Sequence, residues 1–144
     1  MTKSVPTILL AEDNPADVYL IREALREHGV ECTIREASDG KEVLRILSLS
    51  PADADGHSLD LIILDLNLPR HDGIEILQHL QTQDLSHVPV VVLTSSDSPR
   101  DRLLAGQLGV ACYLRKPSSL TEFLDLGVVF RDLLAGSNGK AAGR

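Results

Sequence analysis

Leu61-Ile62-Ile63-Leu64-Asp65-Leu66-Asn67-Leu68-Pro69 sets four apolar residues in a row, then an acid, and closes on a proline. Four residues are too few for a helix, and residues apolar at every position suit a strand covered on both faces. Runs of the same kind occur at 7–10, 32–37, 90–93 and 111–114, each bounded by turn residues. In chain order these are five predicted strands, with 61–64 the third.

Between the strands lie amphipathic stretches. The first opens on Asn14-Pro15-Ala16-Asp17, which supplies a capping side chain, a proline at the first helical position and an acid in the first turn. Val18, Ile21 and Leu25 then share one helical face, and Gly29 ends it. A second helix is predicted from Gly40 with Val43, Ile46 and Leu47 inward, and a third from Gly73 with Ile74, Leu77 and Leu80 inward. Ser98-Pro99 starts a fourth that ends by Gly109. Ser119-Leu120-Thr121-Glu122 has capping-box spacing ahead of Phe123, Leu126, Phe130 and Leu133 in a fifth. Strict strand–helix alternation predicts a doubly wound α/β fold, a parallel sheet with helices on both faces.

Composition agrees with one such domain. The chain has 144 residues, 43% of them hydrophobic and 24% charged, and two Tyr, two Phe and no Trp leave Leu, Ile, Val and Ala to build the core. The expected organisation is a lead at 1–6, a domain at 7–135, with an exposed Ser/Pro/Asp/Gly-rich loop at 49–58, and a flexible tail at 136–144. A net charge of −7 argues against binding to nucleic acid or to anionic lipid surfaces. No apolar run approaches the ~20 residues of a membrane helix, and no signal-peptide pattern opens the chain, so a cytoplasmic location is expected. Cys32 and Cys112 lack disulfide or metal spacing and read as reduced core residues. Asp53-Ala54-Asp55-Gly56 lacks the further ligands of a calcium loop, and His28, His57, His71, His79 and His87 show no metal spacing.

In an open parallel sheet, ligands bind beyond the carboxyl ends of the strands. Here those ends carry Glu12 and Asp13 after strand 1, Asp65 and Asn67 after strand 3, Thr94, Ser95 and Ser96 after strand 4, and Arg115, Lys116 and Pro117 after strand 5. Carboxylates on neighbouring strand ends repel one another unless a cation sits among them. Hard oxygen ligands without His or Cys suit Mg2+, which keeps positions open for phosphate oxygens. The Thr94 hydroxyl and the Lys116 ammonium are suited to bind a phosphoryl group. Taken singly, these residues also have plainer readings: Glu12 and Asp13 as helix-capping acids, Thr94 as a loop hydroxyl, Lys116 as a surface lysine and Tyr113 as a strand aromatic with a wet edge.

Glu12-Asp13, Leu64-Asp65-Leu66-Asn67-Leu68-Pro69 with Asp72-Gly73, Leu93-Thr94-Ser95 and Lys116-Pro117, in that order from about Thr7 to Leu134, resemble the receiver domains of two-component response regulators. The resemblance implies a flavodoxin-like sheet of order 2-1-3-4-5. It makes Asp65 the acceptor of a phosphoryl group from a phosphohistidine. Mg2+ would be held by Glu12, Asp13, Asp65 and the backbone carbonyl of Asn67, with Lys116 and Thr94 on the phosphoryl oxygens. Tyr113 takes the place of a switch aromatic, Asn67 and Ser96 flank the hydrolytic water, and the Lys116–Pro117 peptide is expected to be cis. Ser95 departs from the alanine usual after the threonine and would crowd the pocket slightly. The acidic opening Glu12 to Asp17, the run Asp65 to Pro69 and the long loop before strand 3 are similar to the small single-domain regulators that partner phytochrome-type histidine kinases.

The expected function is therefore a phosphorelay module that takes its signal from a sensor histidine kinase and passes it on by contact with a downstream protein. Homodimerisation through helix 4, strand 5 and helix 5 is the expected output, because Leu124 and Val128 lie off the core stripe of helix 5. A Mg2+-dependent phosphohydrolase with an aspartyl-phosphate intermediate would use the same carboxylates, but it commonly needs an acid where Asn67 stands. A redox carrier of the flavodoxin type would need a Ser/Thr-rich phosphate loop after strand 1, which is missing.

Overall fold

The computed structural model describes residues 5–48, 59–83 and 87–143, with side chains as far as Gly136. Five strands alternate with five helices: β1 Thr7–Ala11, α1 Pro15–Glu27, β2 Thr33–Ala37, α2 Gly40–Leu47, β3 Leu61–Leu64, α3 Gly73–Gln81, β4 Val90–Thr94, α4 Pro99–Gln107, β5 Cys112–Arg115 and α5 Leu120–Gly143. All neighbours in the sheet are parallel, in the order β2-β1-β3-β4-β5. The expected doubly wound topology is therefore present. Its strand order reverses beside β1 and β3, where a crevice opens at the carboxyl ends.

Strand burial follows position in the sheet. β1, β3 and β4 are buried at every residue, whereas β2 and β5 are largely half-exposed. The continuous apolar reading thus holds for the central strands. The outer two are edges, and edge strands carry polar side chains such as Arg35, Glu36 and Arg115 that blunt further pairing.

Two apolar layers sandwich the sheet. On one face Leu9, Ile62, Leu64 and Val92 meet Val43, Leu47, Ile76 and Leu77 of α2 and α3. On the other, Ile8, Leu10, Ile63 and Val91 meet Ile21 and Leu25 of α1 and Phe123 and Phe130 of α5. Each such fully buried side chain contributes about 1.5–3 kcal/mol from the area it removes from water. Gly127 lets α5 approach α1 closely, since a Cβ there would lie 2.3 Å from the Ala24 carbonyl oxygen. Leu124 and Val128 are half-buried, and the Leu124 carbonyl lies 3.2 Å from His28 Nε2 of α1. Part of the surplus apolar surface of α5 is accordingly met inside the monomer.

The caps at Asn14 and Ser98 fall where the sequence puts them, and Asp72 adds one that the sequence reading did not single out. Asn14 accepts hydrogen bonds from the backbone N–H groups of Ala16 and Asp17, Asp72 forms a reciprocal box with Glu75, and the Ser98 hydroxyl accepts from the Asp101 N–H. Three expectations differ or fall outside view. α5 carries the backbone on as helix through 136–143, where a flexible tail was expected; no proline interrupts it, and extending a helix is far easier than starting one. The Lys116–Pro117 peptide is trans, not cis, the form favoured by about 0.5–1 kcal/mol for a bond before proline. The loop at 49–58 and the first four residues of the lead lie outside the described residues. Among the described residues no helix is long and apolar enough to cross a membrane.

Candidate functional site

The sheet's hydrogen bonds set the site. The Glu12 N–H donates to the Ala37 carbonyl at 3.0 Å, Asp65 N–H to Ala11 at 3.0 Å, and Lys116 N–H to Thr94 at 2.8 Å, so each functional residue is the first beyond a paired strand. Gly73 fixes the loop that follows Asp65. Its N–H donates to the Leu66 carbonyl at 2.9 Å, and a Cβ there would stand 2.5 Å from Leu66 Cα and 3.2 Å from the Asp65 carbonyl oxygen.

Three of the residues at these strand ends are polar and buried: Glu12 at 4% exposure, Asp65 at 5% and Thr94 at 0%. Asp13 is exposed at the mouth. Carboxylate oxygens of Glu12, Asp13 and Asp65 lie within 4.8 Å of one another, close enough for one ion to touch all three. This all-oxygen donor set fits a hard divalent cation such as Mg2+ or Mn2+.

The Lys116 ammonium reaches into the same cluster. It donates to Asp65 Oδ2 at 2.9 Å and to Asp17 Oδ2 at 2.7 Å, and stands 2.9 Å from Glu12 Oε1. Burial works against its charge, but hydrogen bonds to Asp17, Glu12 and Asp65 outweigh burial and hold its pKa above the ordinary lysine value. Burial also pushes the Glu12 carboxyl up to about 7, against the lowering influence of Lys116 and of the Asn14 N–H. A cation held beside Glu12 would favour its ionised form.

Asp65 Oδ1 accepts from the Asn67 N–H at 3.0 Å, so both oxygens of this carboxylate are held. The Asn67 side-chain amide donates to Thr94 Oγ1 at 3.3 Å, where the Ser96 N–H also donates at 3.2 Å. Ser96 Oγ donates in turn to Asp101 Oδ2 of α4 at 3.1 Å. Ser95 is exposed. Tyr113 is half-buried with the Arg102 guanidinium 4.5 Å over its ring, and its hydroxyl is buried with no hydrogen-bond partner among the described residues.

Glu12, Asp13, Asp65, Asn67, Thr94 and Lys116 thus converge as the sequence order implies, while Tyr113 lies along β5 under α4. Asp17 was missed. Its place in the first turn of α1 reads as an acid at a helix N-terminus. Only the added fact that α1 begins at the carboxyl edge of the sheet, where the Lys116 side chain reaches back from the end of β5, makes it a partner of Lys116.

The sequence model of the response regulator receiver domain matches residues 8–126. The chain belongs to the response regulator receiver family. This receiver domain is 36% identical over 120 residues to the response regulator Rcp1 of Synechocystis, covering 83% of this chain and 82% of Rcp1. It is also 36% identical over 115 residues to PhoP of Bacillus subtilis, a transcriptional regulator of alkaline phosphatase synthesis of which it spans only 44%. Among solved structures, the phosphorylated cyanobacterial phytochrome response regulator RcpA superposes with a TM-score of 0.82 at 33% identity, covering 93% of this chain and 96% of RcpA. The Mn2+-bound form of Rcp1 gives 0.79 at 33% identity, covering 88% and 92%. The receiver domain is a signalling fold of two-component systems.

Proposed function

We propose that Asp65 is the phosphoacceptor of a two-component phosphorelay. One Asp65 oxygen attacks the phosphorus of a phosphohistidine on a sensor kinase. The P–N bond breaks with its electron pair going to the imidazole, and an acyl phosphate forms on Asp65. Lys116, already 2.9 Å from Asp65 Oδ2, is the cation best situated to bind the arriving phosphoryl oxygens, and this contact is the observation that carries the reading. The Thr94 hydroxyl supplies a second contact once it leaves Asn67 and Ser96. Glu12, Asp13, Asp65 and the Asn67 carbonyl would hold Mg2+, which supplies charge neutralisation for phosphoryl transfer. In this reading the protein is a phosphoacceptor signalling protein rather than an enzyme, and it catalyses only its own phosphorylation and dephosphorylation.

Neither Asn67 nor Ser96 is an acid or base, and both side chains are engaged elsewhere. Hydrolysis of the acyl phosphate therefore depends on positioning of water rather than on side-chain proton transfer. The likeness to RcpA, a phytochrome response regulator, supports a phytochrome-type histidine kinase as the phosphoryl donor. Tyr113 is the switch aromatic of this reading. The face made by α4, β5 and α5 is the output surface, through which the phosphorylated chain pairs with a second copy. Leu103 of α4 at 63% exposure and Leu120 of α5 at 60% support an apolar contact there.

Incubation with acetyl phosphate and Mg2+, followed by intact mass, tests the chemistry: one phosphoryl adduct is expected, absent in Asp65→Asn and in EDTA. An adduct that persists in the variant overturns the assignment. Sedimentation of the unmodified and phosphorylated proteins tests the pairing, and identical monomers in both would reject it.

A further inference from the structure

Asp17 has no part in the phosphoryl chemistry, yet its contact with Lys116 is, at 2.7 Å, the shortest of the three that the ammonium makes. The plain role of an acid in a first helical turn is to favour the helix dipole, and that role needs no partner. The capping duty is already filled, since Asn14 Oδ1 accepts from the Ala16 and Asp17 N–H groups. Asp17 instead reaches across 99 residues of sequence to a lysine whose side chain is only 12% exposed, while its own is 19% exposed.

An ammonium has three N–H donors. Lys116 donates to Asp17 and Asp65 and holds Glu12 at an ion-pair distance of 2.9 Å. Under the proposed function, on which this inference rests, two of those partners change during the reaction. Glu12 joins the cation ligands, and Asp65 becomes an acyl phosphate without its full charge. Asp17 alone keeps both its charge and its place. A lysine on a four-carbon stem carries large rotamer freedom, and misplacing a catalytic group by about 1 Å can cost as much as 10²-fold in rate.

We propose that Asp17 is a positioning residue for Lys116, the fixed carboxylate that keeps the ammonium in the pocket while Glu12 and Asp65 exchange partners. It also ties the first turn of α1 to the phosphoryl site. Asn in its place retains an oxygen that accepts a hydrogen bond and keeps part of the effect, whereas Ala keeps none.

The test is the rate of phosphorylation by acetyl phosphate in saturating Mg2+ for the full chain and for Asp17→Asn, Asp17→Ala, Lys116→Met and the Asp17→Ala, Lys116→Met double variant. Mg2+ affinity and circular dichroism are measured alongside. Asp17→Ala is expected to slow labelling about tenfold and Asp17→Asn about threefold, with Mg2+ affinity within about threefold of the parent. In the Lys116→Met background, Asp17→Ala is expected to change the rate less than about twofold, because Asp17 acts through the lysine. Labelling of Asp17→Ala at or above the parent rate overturns the proposal, as does an undiminished effect without Lys116. If Asp17→Ala fails to fold, a folded Asp17→Asn at the parent rate overturns it equally. Failure of the parent itself to label would instead defeat the phosphoacceptor reading.

Discussion

Replacing Lys116 by Met removes the one cation among the described residues within 3 Å of Glu12, Asp17 and Asp65 and leaves their charges uncompensated, two of them buried. Stripping one partner from a buried ion pair costs about 3–5 kcal/mol, but a carboxylate can escape part of that cost by taking up a proton. Glu12 has gone most of the way, with a pKa of about 7 even beside the lysine. A carboxyl raised in the folded state holds a proton that the unfolded chain releases, so its contribution to stability falls as pH rises from the unfolded pKa through the folded one. In the parent that window runs from about 4.5 to 7, and in Lys116→Met it extends upward. The variant is therefore expected to lose about 3 kcal/mol at pH 8 in EDTA, with the deficit shrinking by up to about 1.4 kcal/mol per pH unit toward pH 7. Urea unfolding followed by far-ultraviolet circular dichroism reads this loss as a midpoint lowered by about 2 M. Millimolar Mg2+, which replaces the missing charge, should recover most of it. A midpoint matching the parent at pH 8 in EDTA, or a deficit that grows toward acid pH, would refute the electrostatic account of the pocket.

Mg2+ binding is expected to displace the proton from Glu12, so affinity should fall by up to about tenfold per pH unit below 7 and level off above it; titration calorimetry in buffers of different ionisation enthalpy counts the proton, and a flat profile between pH 5.5 and 7 would contradict the Glu12 assignment. Gly73→Ala forces a Cβ against Leu66 Cα and is expected to cost about 1–3 kcal/mol and to slow acetyl phosphate labelling at least about tenfold with the fold retained; unchanged labelling would show that the loop tolerates the shift. With no Trp and two Tyr in the chain, Tyr19→Phe leaves Tyr113 as the sole fluorophore. In that background Arg102→Met should raise acrylamide quenching at least about twofold, because the guanidinium covers the ring; equal quenching means that it does not.

The order of elements was legible because each central strand is an unbroken apolar run and because capping residues such as Asn14 and Ser98 mark where helices open. The convergence of Glu12, Asp65, Thr94 and Lys116 was legible too, since parallel strands bring every carboxyl end to one edge of the sheet. What escaped was set by contacts between remote segments. Asp17 meets Lys116 because the lysine side chain reaches across the carboxyl edge of the sheet to the first turn of α1, and Tyr113 lies under Arg102 because α4 packs over β5. The engagement of Asn67 and Ser96 on Thr94 likewise depends on loop conformations that residue types do not specify. The length of α5 escaped because Gly- and Ser-rich composition argues for a flexible end while the helix behind it can still propagate.

The claim that Asp65 carries the phosphoryl group has one direct measurement. Borohydride reduces an acyl phosphate to an alcohol, so treating the acetyl phosphate-labelled protein with borohydride and sequencing its peptides by mass spectrometry marks the acceptor carboxylate. Homoserine at position 65, with Glu12, Asp13 and Asp17 unaltered, is the predicted result. Reduction at Asp13 or Asp17 instead, or an acid-stable phosphate on Thr94 or Ser96, would contradict it.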